Sequence, residues 1–153
     1  MTRIEENKAL VAAFFKTAYV DRDYDRCGEF FAEDGVYEDA PLPPGTEGRG
    51  PKEIAERIRR GVGDLPALVD EVHRVVAEGD TVITEHTETW CFETGERVPL
   101  PVVSIHVIEG GKIKLHRDFW DGPTLFSNMP TKWLEKLTQG NHSSEAQDND
   151  PGA

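Results

Sequence analysis

Two stretches decide how this chain folds: Thr84-Glu85-His86-Thr87-Glu88-Thr89-Trp90 and Leu115-His116-Arg117-Asp118-Phe119-Trp120-Asp121. Both alternate as strands do, and in both the side chains able to move protons share one parity, His86 with Glu88 and His116 with Asp118. Side chains of a strand point to opposite faces with period two, so each pair projects to one side. If the two strands lie in one sheet, the four groups converge on a single patch. Parity alone gives a competing expectation for the second stretch. Ile113, Leu115, Arg117 and Phe119 are its more apolar set, and burying them would turn His116 and Asp118 to solvent.

Outward from these stretches, strands are read over 65–77, 81–91, 98–108 and 113–120. Gly79-Asp80, Glu93-Thr94-Gly95-Glu96 and Glu109-Gly110-Gly111-Lys112 supply the turns, which makes the last three strands an antiparallel meander. Residues 65–77 also satisfy a helical stripe, but their valines favour a strand. The run 98–107 is apolar on both parities through Leu100, Val102, Val103, Ile105 and Val107. It predicts a sheet covered on both faces, by helices and a pocket on one and by a second subunit on the other.

Before the sheet come helices. Ile4, Leu10, Val11, Phe14, Phe15 and Ala18 recur at helical spacing over 4–20. A short helix over 24–31 ends in Phe30-Phe31, and Ala32-Glu33-Asp34-Gly35 then reads as a turn. Val36 to Ala40 is extended and is stopped by Pro41-Leu42-Pro43-Pro44-Gly45. Pro51 opens a helix over 51–61, and a last helix is read at about 130–138. Helices first and an antiparallel sheet after them give the α+β class.

A chain of 153 residues fits one domain, read as 1–138, with 139–153 a disordered acidic tail of small and polar residues. The formal charge of -12 repels phosphate backbones and anionic lipid heads, which argues against nucleic acid and membrane partners. The chain carries neither a long apolar span nor the apolar core of a signal peptide at its start, so a cytoplasmic protein is expected. Cys27 and Cys91 have no metal or disulfide spacing and read as packing residues. His73 and His142 read as surface groups, and His106 as a lining residue.

Three motifs carry a likeness to a known family: Tyr37-x-Asp39-x-Pro41-Leu42-Pro43-Pro44, Thr84-Glu85-His86-x-Glu88, and Arg117-Asp118-Phe119-x-Asp121 after a Gly-Lys-Ile turn. On these residues the chain resembles the limonene-1,2-epoxide hydrolases, a branch of the NTF2-like (SnoaL-like) superfamily. The resemblance implies an NTF2-like cone, with N-terminal helices packed on a curved mixed or antiparallel sheet that encloses an apolar pocket. In that family a tyrosine, an asparagine and an aspartate hold a water, a second aspartate protonates the epoxide, and an arginine bridges the acids. Tyr37 and Asp118 keep two of these positions. Asp39 stands for the asparagine, His86 for the arginine and Glu88 for the acid aspartate.

The implied activity is cofactor-independent opening of a small apolar epoxide by activated water, with no metal. Asp118 is the expected base, Tyr37 and Asp39 position the water, and Glu88, steered by His86, is the acid. Leu68, Trp90, Leu100, Val102, His116 and Trp120 are the expected substrate-binding wall. Neighbouring carboxylates cannot all ionise cheaply, so at least one of Asp39, Glu88 and Asp118 should titrate high. The departures from the family pattern leave an alternative open, a SnoaL-type dehydratase, isomerase or cyclase acting on a polyketide- or steroid-like substrate. A binding module without catalysis is the third reading. The apolar outer sheet face predicts a homodimer.

Overall fold

The structure, a computed structural model, describes residues 1–137. The expected tail therefore lies outside the described residues. The chain opens with α1 (Arg3–Phe15), whose first turn is closed by a capping box between Thr2 and Glu5. Its register then widens into a π-helical turn over Lys16–Asp21, ended by Arg22 at φ 52°. Among the described residues Arg22 is the one non-glycine with positive φ. Its guanidinium explains how the strain is tolerated, because it donates to the carbonyls of Leu65 and Val62 at 2.9 and 2.8 Å. The π turn is thereby fastened to the backbone at Val62 and Leu65.

After α2 (Tyr24–Glu29) come β1 (Phe31–Asp39), β2 (Gly48–Arg49) and α3 (Gly50–Val62), then β3 (Ala67–Glu78), β4 (Thr81–Cys91), β5 (Arg97–Glu109) and β6 (Lys112–Phe119). A short α4 (Gly122–Phe126) and a helical segment over 131–137 follow. The six strands form one sheet in the order β2-β1-β6-β5-β4-β3. The pairing of β1 with β6 is parallel and every other pairing is antiparallel, so the sheet is mixed and the α+β expectation holds.

Two local expectations are corrected. Phe31 does not end a helix, and 32–35 is not a turn: Phe31 opens β1 opposite Ile113, and the register slips between Phe31 and Val36. Gly35 lies in that irregularity, where an added Cβ would come within 2.9 Å of the carbonyl oxygens of Ala32 and Ile113. The letters Glu-Asp-Gly therefore mark a bulge within a strand.

Parity in β6 is the second. The pairing shifts between Val107 and Ile108, so Ile113 on one side of the slip and His116 and Asp118 on the other all face the same interior. Phe119 is 43 % exposed and Asp118 only 3 %, the reverse of what apolar parity alone predicts.

The interior has two apolar clusters. One joins Val11, Phe14, Phe15 and Ala18 of the first helix and π turn to Phe31, Val82, Ile108 and Ile113. The other joins Leu68, Trp90, Leu100 and Val102 to Leu125 and Met129, with Trp120 at its margin. Tyr19 packs against both.

Candidate functional site

The side chains that matter sit between those clusters, on the helix-covered face of the sheet. Strand register sets them in a diagonal row. Asp39 lies opposite Asp118, Tyr37 opposite His116, Ser104 opposite Asp118, and His86 opposite Val102, two residues from Ser104. On neighbouring strands such diagonal partners are within reach of polar side chains.

Asp118 is the hub. Its Oδ2 accepts the Tyr37 hydroxyl at 2.8 Å, while Oδ1 accepts the Ser104 hydroxyl at 2.5 Å and Nε2 of His116 at 2.7 Å. Burial alone would push this acid up, but the His116 imidazole and the hydrogen bonds from His116 and Ser104 outweigh it and hold its carboxyl well below the usual carboxylate range. Tyr37 stacks on His116 with ring centroids 4.2 Å apart. Burial, with Asp118 beside it, raises the Tyr37 hydroxyl, so it remains a donor.

Glu88 is the opposite case. It is buried, its Oε1 lies 2.5 Å from the Tyr19 hydroxyl, and its Oε2 accepts the Trp90 indole N–H at 3.0 Å. Burial first and the nearby Asp118 charge second push its carboxyl up to about 7. His86 makes no hydrogen bond to it and acts on it through charge alone, pulling the Glu88 carboxyl down. The histidine is instead held by Asp70 at Nδ1 (2.6 Å) and Ser104 at Nε2 (2.8 Å). Burial alone would lower the His86 imidazole, and the Asp70 contact overcomes this to raise it.

Asp39 joins the site through its backbone position, but both its oxygens are taken, by Arg57 of α3 at 2.7 Å and the Trp120 indole at 2.7 Å. Burial and the Asp118 charge raise its carboxyl, with Arg57 and Trp120 pulling the other way. The Arg57 guanidinium also lies over the Tyr37 ring, 4.9 Å from its centroid. Leu68, Leu100 and Val102 are packed with Trp90 in the second apolar cluster, and His116 and Trp120 sit in the polar row itself. His106 is fully buried against His116, with burial lowering its imidazole to about 3. Both cysteines are buried and free. His142 lies outside the described residues.

Four residues went unread in the sequence: Tyr19, Arg57, Asp70 and Ser104. Their letters carry no motif: the π turn brings in Tyr19, α3 carries Arg57, and cross-strand register places Asp70 and Ser104. Asp39, Glu88 and Asp118 line neither of two open hollows of about 650 and 410 Å³, which lie near Asn7 and Gly110 and near Val98 and Asn128.

The family model for the SnoaL-like domain matches residues 11–116. The chain belongs to the SnoaL-like domain family. Among curated relatives, epoxide hydrolase EphG of Mycobacterium tuberculosis (strain ATCC 25618 / H37Rv) is 29 % identical over 115 residues, 75 % of this chain and 74 % of that one. Among solved structures, an LEH-like epoxide hydrolase of M. tuberculosis superposes with a TM-score of 0.69 at 27 % identity, over 91 % of this chain and 99 % of that one. A protein from Jannaschia sp. CCS1, assigned as a SnoaL-like polyketide cyclase, superposes at 0.73 with 18 % identity, over 86 % and 96 % of the two chains, a likeness of fold alone. This family member thus has the NTF2-like fold expected from its motifs. Among the described residues no helix is long and apolar enough to cross a membrane.

Proposed function

We propose that this SnoaL-like protein is a cofactor-independent epoxide hydrolase that opens a small apolar epoxide by direct attack of water. The observation carrying the reading is a pair of buried acids on one sheet face driven in opposite directions, Asp118 held ionised and Glu88 pushed up to about 7, where it still carries a proton to give. Acid and base roles separate when two carboxyls have environments that part their pKa values. Asp118 takes a proton from water, with Tyr37 keeping the base oriented, while the acid on the Glu88 side gives a proton to the epoxide oxygen. The water oxygen bonds to the epoxide carbon as the C–O bond breaks, and the product is a diol.

Trp90 can only donate, so the proton of a neutral Glu88 lies on Oε1, toward Tyr19. Tyr19 then accepts from Glu88 and turns its own proton to the substrate oxygen. Leu68, Leu100, Val102 and Trp90 supply the apolar wall. Asp39 acts here as an anchor for Arg57 and Trp120 rather than as a ligand of the water.

Single turnover in ¹⁸O-labelled water tests the mechanism. One labelled oxygen in every diol supports direct attack, and unlabelled diol in the first turnover would instead show a covalent ester on the protein.

The SnoaL-type reading of a dehydratase, isomerase or cyclase on a polyketide- or steroid-like substrate keeps one observation in its favour. A titratable imidazole, His86, stands where the resemblance places an arginine. His86→Arg with Glu88→Asp raises epoxide opening under the first reading and removes native turnover under the second.

We also propose a homodimer. Val76, Ile83 and Ile105 lie side by side on the outer sheet face, next to Val103 and Phe119, which are 39 % and 43 % exposed. A second copy covers this face in an isologous contact, and a monomeric mass by light scattering contradicts it. The expected cytoplasmic site of action stands as part of the same proposal.

A further inference from the structure

One hydrogen-bonded row, Asp70, His86, Ser104 and Asp118, crosses β3, β4, β5 and β6 in turn, with successive contacts of 2.6, 2.8 and 2.5 Å. Its protons can be counted. An ionised carboxylate only accepts, so Nδ1 of His86 carries a proton toward Asp70. A serine hydroxyl has a single proton. Oδ1 of Asp118 already accepts from His116, and the carboxyl is ionised, so the Ser104 proton points at Asp118. The Ser104 oxygen then offers only a lone pair to Nε2 of His86, and Nε2 must carry a proton as well.

We propose that Asp70 and Ser104 are positioning residues that hold His86 as an imidazolium, and that this fixed cation, reaching Asp118 through the Ser104 hydroxyl, keeps Asp118 an ionised base. The count combines this contact geometry with Asp70 and Asp118 taken as carboxylates, while its role in turnover rests on the epoxide-opening reading. The order aspartate, histidine, serine invites a nucleophilic serine, and the same count removes it. Nε2 donates to Ser104 and cannot take its proton, and Ser104 is fully buried against the Asp118 charge, which would repel an oxyanion.

The groups facing His86 set the sign of its titration. Asp70 comes from β3, Glu88 from its own strand, Ser104 and the neutral His106 from β5, and Asp118 from β6. Phe15 and Tyr19 close it from the helical side, with ring centroids 4.9 and 6.1 Å away. Asp70, Glu88 and Asp118 therefore all favour the protonated ring, and neither of the helical groups is a cation.

Side-chain ¹⁵N–¹H NMR of the full chain reads the protons directly. In the wild type both ring nitrogens of His86 are expected to be protonated at pH 7, and Asp70→Asn is expected to bring its midpoint down. In epoxide turnover, Asp70→Asn and Ser104→Ala lower kcat by on the order of tenfold to a hundredfold with KM little changed, and Ser104→Thr, which keeps the hydroxyl, recovers most of it. A His86 with one bare ring nitrogen at pH 7, or a Ser104→Ala protein with wild-type midpoint and kcat, overturns the inference. An imidazolium in a protein that opens no epoxide supports the count and sinks the reaction. Diol from a protein with neutral His86 leaves the reaction standing and overturns the count.

Discussion

The Tyr19 hydroxyl stands 2.5 Å from Oε1 of Glu88, across the seam between the two apolar clusters. Tyr19 is aimed there by a π-helical turn, a form of helix that concentrates at functional sites. Tyr19→Phe removes the proton that faces the substrate oxygen and leaves the ring packing intact. We expect kcat to fall by on the order of a hundredfold with the melting temperature nearly unchanged. A loss below about twofold would show that Glu88 delivers its proton unaided.

The two buried acids predict opposite responses of stability to pH. Glu88 titrates near 7 in the folded chain, against about 4.3 when unfolded. Between those values the folded state binds the extra proton, so stability falls as pH rises through the window. Glu88→Gln removes that cost and is expected to be more stable than wild type at pH 8, by up to on the order of 3 kcal/mol, with little difference below pH 4.

Asp118 has its folded value depressed, so its contribution is present above the unfolded value and is lost as pH falls below it. Asp118→Asn is therefore expected to be destabilised at neutral pH, with the gap closing in acid. Thermal melts of both variants between pH 3 and 8 check the signs.

Arg57 is paired with Asp39 where both side chains are about 15 % exposed or less, and it also donates to the Thr46 carbonyl. Removing it leaves a buried carboxylate without its cation. Arg57→Ala is expected to cost about 3–5 kcal/mol in denaturant unfolding. The double variant with Asp39→Asn should recover part of that loss, because the stranded charge is gone; a double variant no better than the single one would place Arg57's contribution in its contacts with Tyr37 and Thr46.

Much of the sheet was legible because turn chemistry and alternation agree there. Strands expected over 81–91, 98–108 and 113–120 lie at Thr81–Cys91, Arg97–Glu109 and Lys112–Phe119. The inward face of Asp118 was legible only through the resemblance, since the slip beside Ile113 reverses parity within one strand. Ser104 was hidden in an apolar run, and Asp70 in a stretch read through its valines alone. Their meaning lies in a diagonal across four strands, a relation that spacing along the chain does not express. Tyr19 was hidden for a different reason: the apolar stripe of α1 was followed with a 3.6-residue period, and the π turn departs from that period.

Diol formation tests the account most directly. Limonene oxide, styrene oxide and cyclohexene oxide are incubated with the wild type and with Asp118→Asn, and diol is measured by gas chromatography. We predict diol from at least one of the three with the wild type, and a loss of at least about a thousandfold in the variant. No diol from any epoxide, or diol formed equally by Asp118→Asn, would contradict it.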